Sequence, residues 1–426
     1  MLNRNRNIVI ILCVLCLLII LPSLIYGYVY PTGGDDSAEH IRVMERITLT
    51  HPIPVGYLYN GQWMVGYPLV VLKTLFGIPL TTSFMWFNYL VLIGVVLTLY
   101  FVFSRIFNSL AGITAAIGIF AAQTFVAQFL SGLIFNIISI GIILMWLLYF
   151  GIRAWTKRSW KFGIVAVILL ALFVNFHASG AYIPITPKAV TSVVQGFENT
   201  VQGLSSTSNG FILQYAMCLA LFLLAVGALF WYRKRILENI TKEGRLMMVA
   251  LGVFGILLII VSAPIFKISL FPSRQLTDAV TIVFLLAISG LSAYIGKASK
   301  LAVNSVLITV MVLVGVLWLP AWFKNNSVIR TVDKEAIAYV NNLGGGQFYG
   351  NEYVAPWIYE RYLNKKYMAD SNVYIWRSAP MTMRTDPLSE WYWKPKDVAI
   401  APPDNIKTMV RFEDNGIEIY VAQGGD

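Results

Sequence analysis

The chain has 426 residues, 58% of them hydrophobic and only 12% charged, and its mean hydropathy is +0.69. Water-soluble domains carry about 25% charged residues, so this composition excludes an aqueous enzyme and describes a polytopic membrane protein. The net charge of +11 is uneven: residues 1–323 hold 20 Lys+Arg against 8 Asp+Glu, and residues 324–426 hold 12 against 13. The excess of cations thus belongs to the apolar part, which excludes reading it as a nucleic-acid-binding surface.

In chain order, nine apolar segments are long enough to cross a hydrocarbon core, which takes about 20 helical residues. They are roughly 8–28, 84–103, 110–130, 132–152, 162–182, 211–232, 247–266, 278–296 and 301–323. The first reads as an uncleaved span, since no small-x-small cleavage site follows it. Residues 64–80 are only 17 long, with Lys73 at the centre and Pro68 and Pro79 inside, and read as a helix lying in the interface. With nine spans and Arg4/Arg6 in the cytoplasm, 14 cations fall in short cytoplasmic loops, among them Arg105, Arg153, Lys157, Arg158, Lys161 and Lys242. Six fall outside: Arg42, Arg46, Lys73, Lys188, Lys267 and Arg274. Counting 64–80 as a span would put the richest clusters outside, against the positive-inside rule. Cys13, Cys16 and Cys218 all lie in apolar runs, so the Cys-x-x-Cys spacing carries no zinc or redox signal.

The expected fold is therefore mainly α, a polytopic transmembrane helical bundle over residues 1–323 with a first external loop at 29–83. Residues 324–426, with an ordinary charged fraction and Gly/Pro/Asn turns, read as a small extracytoplasmic α/β domain. Its expected elements are a helix over Val332–Leu343, a strand at Gln347–Asn351, a second helix over Tyr353–Asn364 and a strand at Asp397–Ala401. A hairpin over 411–420 turns at Asn415-Gly416.

Acids are scarce in the membrane part and crowded: Asp35, Asp36, Glu39 and Glu45 share the first external loop, and no other acid occurs before Glu198. Asp36-x-x-Glu39 has capping-box spacing, so a helix N-cap accounts for Asp36 by itself. It does not account for Asp35, nor for His40 one turn after Asp36. An acid cluster with an imidazole at a membrane surface suits a general base or a divalent-metal site, Mg²⁺ or Mn²⁺, on Asp36, Glu39 and His40. Ile41, Met44 and Ile47 are spaced to face a membrane or a groove. Arg274 stands between the seventh and eighth spans with Asp278 four residues on; its guanidinium suits a lipid phosphate, or simply headgroups or Asp278. His177 ends the fifth span, either as an interfacial hydrogen-bonding residue or as a site residue. The Trp391-Tyr392-Trp393 run suits stacking on a sugar ring, or packing at the interface.

The ordered set of Gly34-Asp35-Asp36-Ser37-Ala38-Glu39-His40, then Gly66-Tyr67-Pro68-Leu69 through Phe76-Gly77-Ile78-Pro79, then Ser104-Arg105-Ile106-Phe107-Asn108 resembles the GT-C superfamily of integral membrane glycosyltransferases. His177 and Ser273-Arg274 are similar to further features of that superfamily. The resemblance covers residues 1–323 in layout and implies transfer of a sugar from a polyprenyl-phosphate donor to a glycan, lipid or protein acceptor at the outer face. It implies that Asp36, or Asp35, is the base toward the acceptor hydroxyl, and that Arg274 holds the lipid phosphate. Glu39, His40 and His177 would contact substrate. The chain departs from the oligosaccharyltransferase branch, whose WWDYG motif is not matched by Glu390-Trp391-Tyr392-Trp393-Lys394, and the expectation is a monosaccharide transferase. Two other readings are a transporter or flippase of lipid-linked sugars, and a non-catalytic membrane protein with a ligand-binding outer domain. The first calls for ionisable residues inside spans, which spans two to five lack in Asp and Glu.

Overall fold

The structure, a computed structural model, describes residues 13, 16, 17, 20, 40, 41, 44, 47–50, 62–119, 134–176, 223, 227, 234, 238, 240–262, 278, 279, 281–283, 285–287, 290, 331–343, 346–350, 366–367, 371–377, 406–414 and 417–424. The described part is mainly helical. Helix α1 spans Gln62–Phe76, α2 Leu80–Ile106, α3 Ser109–Gly118, α4 Ile134–Lys157, α5 Trp160–Phe176 and α6 Lys242–Ser262. Residues 278, 279, 281–283, 285–287 and 290 are helical as well. Among the described residues three helices, α2, α4 and α6, are long and apolar enough to cross a membrane. The expected span at 301–323, and most of those at 8–28 and 211–232, lie outside the described residues.

The expected interfacial stretch is helical over Gln62–Phe76, 15 described residues that rise about 22 Å at 1.5 Å per residue. Val65, Leu69 and Val70 bury its inner face, while Leu72, Leu75 and Phe76 stay exposed. It stops at Gly77, whose φ of +66° is open to glycine without cost and whose N–H bonds the Lys73 carbonyl at 3.0 Å; Pro79 then prevents continuation.

Helices α2 and α3 form an antiparallel hairpin through Phe107-Asn108, with the Asn108 side chain accepting from the Ala111 N–H at 2.9 Å as N-cap. Small residues let α3 sit against α2, as in membrane bundles generally. A Cβ on Gly112 would overlap the Ser104 hydroxyl and come within 2.6 Å of the Tyr100 carbonyl oxygen, a backbone atom that cannot step aside. Gly112→Ala is therefore expected to cost about 1–3 kcal/mol, read as a lower thermal midpoint in detergent. Gly151→Ala, where a Cβ meets nothing within 4 Å, is expected to leave the midpoint unchanged or raise it. Equal midpoints for the two variants would contradict the close approach.

Helix α4 runs parallel to α2: a Cβ on Gly141 would stand 2.8 Å from Val95 Cγ2, and Trp146 Nε1 donates to Thr98 Oγ1 at 3.1 Å. Its residues Ile138–Leu144 are wound as a π-helix. The α4–α5 turn is capped by Arg158 at φ +49°, the one described non-glycine residue with positive φ. Such a conformation costs an L-residue roughly 1–2 kcal/mol. Helix α6 begins beside the end of α2, where Thr241 Oγ1 donates to the Ile106 carbonyl at 3.1 Å, and Phe173 of α5 meets Phe254 of α6 at 6.1 Å. These contacts give the bundle two ends. Arg105, Lys157, Arg158, Lys161, Lys242 and Arg245 share one of them, while the first turns of α2 and α4, the last turn of α5 and Asp278 form the other.

Toward the C-terminus, α7 (Thr331–Asn342) precedes β1 (Gln347–Gly350), β2 (Lys366–Tyr367), β3 (Val373–Arg377), β4 (Ile406–Asp414) and β5 (Ile417–Gly424). The sheet order is β2-β1-β3-β5-β4, parallel at β1–β2 and β1–β3 and antiparallel at β3–β5 and β4–β5. The expected helix over 332–343 and strand at 347–351 appear within one residue. The hairpin pairs Asp414 with Ile417, leaving Asn415 and Gly416 between them. Helix α7 covers the sheet with Ala336, Ile337 and Val340, and Tyr339 meets Phe412 at 5.7 Å. The helix expected over 353–364 and the strand at 397–401 lie outside the described residues.

Candidate functional site

At the end of the bundle away from the cations, described side chains gather from three distant parts of the sequence. His40 is buried, its ring edge-on to Phe135 at 4.7 Å and to Phe84 at 6.0 Å. Ile41, Met44 and Ile47 are buried as their spacing predicts, and a Cβ on Gly66 of α1 would stand 2.7 Å from Ile47 Cδ1 and 3.0 Å from Met44 Cγ. Met44 and Ile47 are thus lodged against α1, and His40 against the first turns of α2 and α4.

Beside Phe135, Asn136 donates through Nδ2 to Asp278 Oδ1 at 2.8 Å, across 142 positions of sequence. The two are 8% and 1% exposed. A carboxylate in an apolar bundle costs several kcal/mol unless donors and charges offset its lost hydration, and polar groups kept inside membrane bundles mark functional positions by default. The buried hydroxyls differ: Thr114 Oγ1 and Ser139 Oγ bond the carbonyls of Leu110 and Phe135, one turn back on their own helices, at 2.8 and 2.9 Å. Asn136–Asp278 instead joins two helices. Asn88 lies one turn beyond Phe84 on the same face of α2, and neither its buried Oδ1 nor the buried Ser83 Oγ has a hydrogen-bond partner among the described residues.

Of the residues expected at the site, only His40 is described; Asp35, Asp36, Glu39, His177 and Arg274 lie outside the described residues. His40 follows Glu39 directly, His177 directly follows the last residue of α5, and Arg274 precedes Asp278 by four residues. Among the described residues no three His, Cys, Asp or Glu side chains group as metal ligands. The described rings beside His40 are the phenyl groups of Phe84 and Phe135, and the oxygen ligands that Mg²⁺ would take are expected from Asp36 and Glu39, outside the described residues. Reading the sequence did not single out Asn136 or Asn88. Their signal was an amide set inside the apolar runs Phe135–Gly141 and Phe84–Gly94. Neither a family model nor a curated protein matches the chain. What fold and site define together is a mainly helical, membrane-associated protein with a polar cluster at the cation-poor end of its bundle.

Proposed function

We propose that this protein is a membrane glycosyltransferase of the GT-C type, with about nine spans. It moves a sugar from a polyprenyl-phosphate donor to an acceptor at the extracytoplasmic face, and the 324–426 region is an outer domain. The observation that carries the reading is the shared end of His40 and the Asn136–Asp278 pair, opposite the cationic loops. Asp36 precedes His40, and Arg274 precedes Asp278, by four residues, and four residues of fully extended chain reach at most about 14 Å. Acid motif and arginine are therefore tethered to the same end, the end that the positive-inside rule makes extracytoplasmic. That suits a donor whose tail stays in lipid while its headgroup meets a surface acceptor.

In this mechanism the acceptor hydroxyl gives its proton to the Asp36 carboxylate as its oxygen bonds the anomeric carbon. The bond from that carbon to the phosphate oxygen breaks, and the electron pair leaves with polyprenyl phosphate. Arg274 stabilises the charge gathering there through paired N–H donors. Asp35 is the alternative base, and Glu39, His40 and His177 line the substrate; no step uses Mg²⁺ or Mn²⁺.

The test is a membrane assay with radiolabelled polyprenyl-phosphate sugar, in which label is expected to move to an acceptor and free polyprenyl phosphate to accumulate. The buried Asp278 also fits a transporter of lipid-linked sugars. A transporter would carry intact donor across the bilayer without breaking the sugar–phosphate bond, and the same assay separates the two. Single cysteines at Lys157→Cys and Glu390→Cys are expected to react from opposite sides of the membrane. Reaction of both from one side would overturn the nine-span topology.

A further inference from the structure

The hairpin joining α4 and α5 carries a set of side chains that sugar transfer at the opposite end does not use. Trp155 and Trp160 are 75% and 71% exposed, and Lys157, Arg158 and Lys161 beside them are exposed as well. From Trp160 an exposed apolar row continues along α5 through Ile164, Val167 and Ile168, at helical spacing on one face. Arg153 behaves differently, its guanidinium lying over the Tyr149 ring at 5.3 Å. Arg158 is unusual in a second respect. At φ +49° it caps α4, its N–H bonded to the Ala154 carbonyl, in a position where helices ordinarily end in glycine. A side chain held against backbone preference is expected where that side chain has a task.

We propose that this hairpin is a binding site for anionic phospholipids. The phosphate headgroup sits on Arg158, Lys157 and Lys161, the two indoles anchor at the level of the acyl carbonyls, and an acyl chain lies along Ile164, Val167 and Ile168. Three cations meeting an apolar stripe at one end match an amphiphile with a negative head, and indoles favour the boundary between the two. Guanidinium suits the phosphate because it offers paired, planar donors. The occupant is a bulk anionic lipid and not the sugar donor, which the proposed function assigns to the other end of the bundle.

The test uses the full chain purified in neutral detergent, with phosphatidylglycerol, phosphatidylcholine or inorganic phosphate added. Phosphatidylglycerol alone is expected to raise the thermal midpoint, and brominated phosphatidylglycerol to quench tryptophan fluorescence. Each cation near an anionic surface contributes about fivefold in affinity. Arg158→Gly is therefore expected to weaken phosphatidylglycerol about fivefold, and Arg158→Gly with Lys157→Gln and Lys161→Gln about a hundredfold. Because glycine suits positive φ, the midpoint of Arg158→Gly without lipid is expected to match or exceed that of the unmodified chain. Lys157→Gln/Lys161→Gln alone gives a second readout that leaves this turn's backbone unaltered. Unchanged phosphatidylglycerol affinity in both variants, equal stabilisation by phosphatidylcholine, or equal stabilisation by inorganic phosphate would each overturn the site. None of these results bears on sugar transfer.

Discussion

Asp36→Asn is expected to lower the rate of sugar transfer about 10²–10⁴-fold, the range a positioned general base supplies. The substitution separates the two explanations of this residue. Asn caps a helix as well as Asp does, and it matches Asp in size, so a residue that only starts the helix before His40 would leave transfer intact. A residue that accepts the acceptor's proton cannot be replaced by an amide, which has no basic oxygen to offer. Asp35→Asn is the companion variant: a large loss there with full activity in Asp36→Asn would move the role of base to Asp35. Arg274→Ala is expected to lower kcat by about 10²–10³-fold, as when one oxyanion donor is removed. Arg274→Lys is expected to recover part of this, since it keeps the charge but not the paired geometry. The measurement is the initial rate with radiolabelled donor in membranes of matched protein content, with kcat and KM resolved. Wild-type rates in all three neutralising variants, with the protein folded, would defeat the site assignment.

The features legible in the sequence were those set by composition along one segment. Hydropathy located α2, α4 and α6, because crossing a membrane demands a continuous apolar run. The apolar run of residues 64–80 marked the helix that the structure shows as α1. Loop cations marked one end of the bundle, and the contacts of Thr241 with Ile106 and of Trp146 with Thr98 bring those loops to a common end. Asn415-Gly416 marked the hairpin of β4 and β5 because a two-residue turn favours those residues. Strand β3 was not read: Val373, Tyr374 and Ile375 are all buried, and a strand covered on both faces shows no alternation. The π-helical turns of α4 share their apolar composition with any span. At the site, spacing paired His40 with Asp36, and nothing in the sequence reports that its ring meets Phe84 and Phe135. The spacing of Asp278 from Arg274 is local and legible, whereas the donor Asn136 stands 142 positions from Asp278, a separation that only the packing of helices closes.

Asn136→Leu is expected to destabilise the bundle by about 1.5–3 kcal/mol, because it takes a donor from a buried carboxylate and offers it no water in exchange. Interhelical hydrogen bonds within membranes average only about 0.6 kcal/mol and reach about 1.7, since the separated helices also find partners. The acceptor's charge and its 1% exposure put this pair at the upper end. Asp278→Leu removes the acceptor itself, so the double variant is expected to lose less than the sum of the two single variants. The predicted signature is therefore a coupling energy of about 1–2 kcal/mol in a double-mutant cycle, measured by chemical unfolding in detergent. Additive effects would show that the 2.8 Å contact carries no net energy. Activity then separates architecture from chemistry. Asp278→Asn retains an oxygen to accept from Asn136 while losing the charge, so a pair that only fixes the helix start four residues after Arg274 tolerates it. A carboxylate that itself meets substrate does not, and Asp278→Asn would then fold normally while kcat fell.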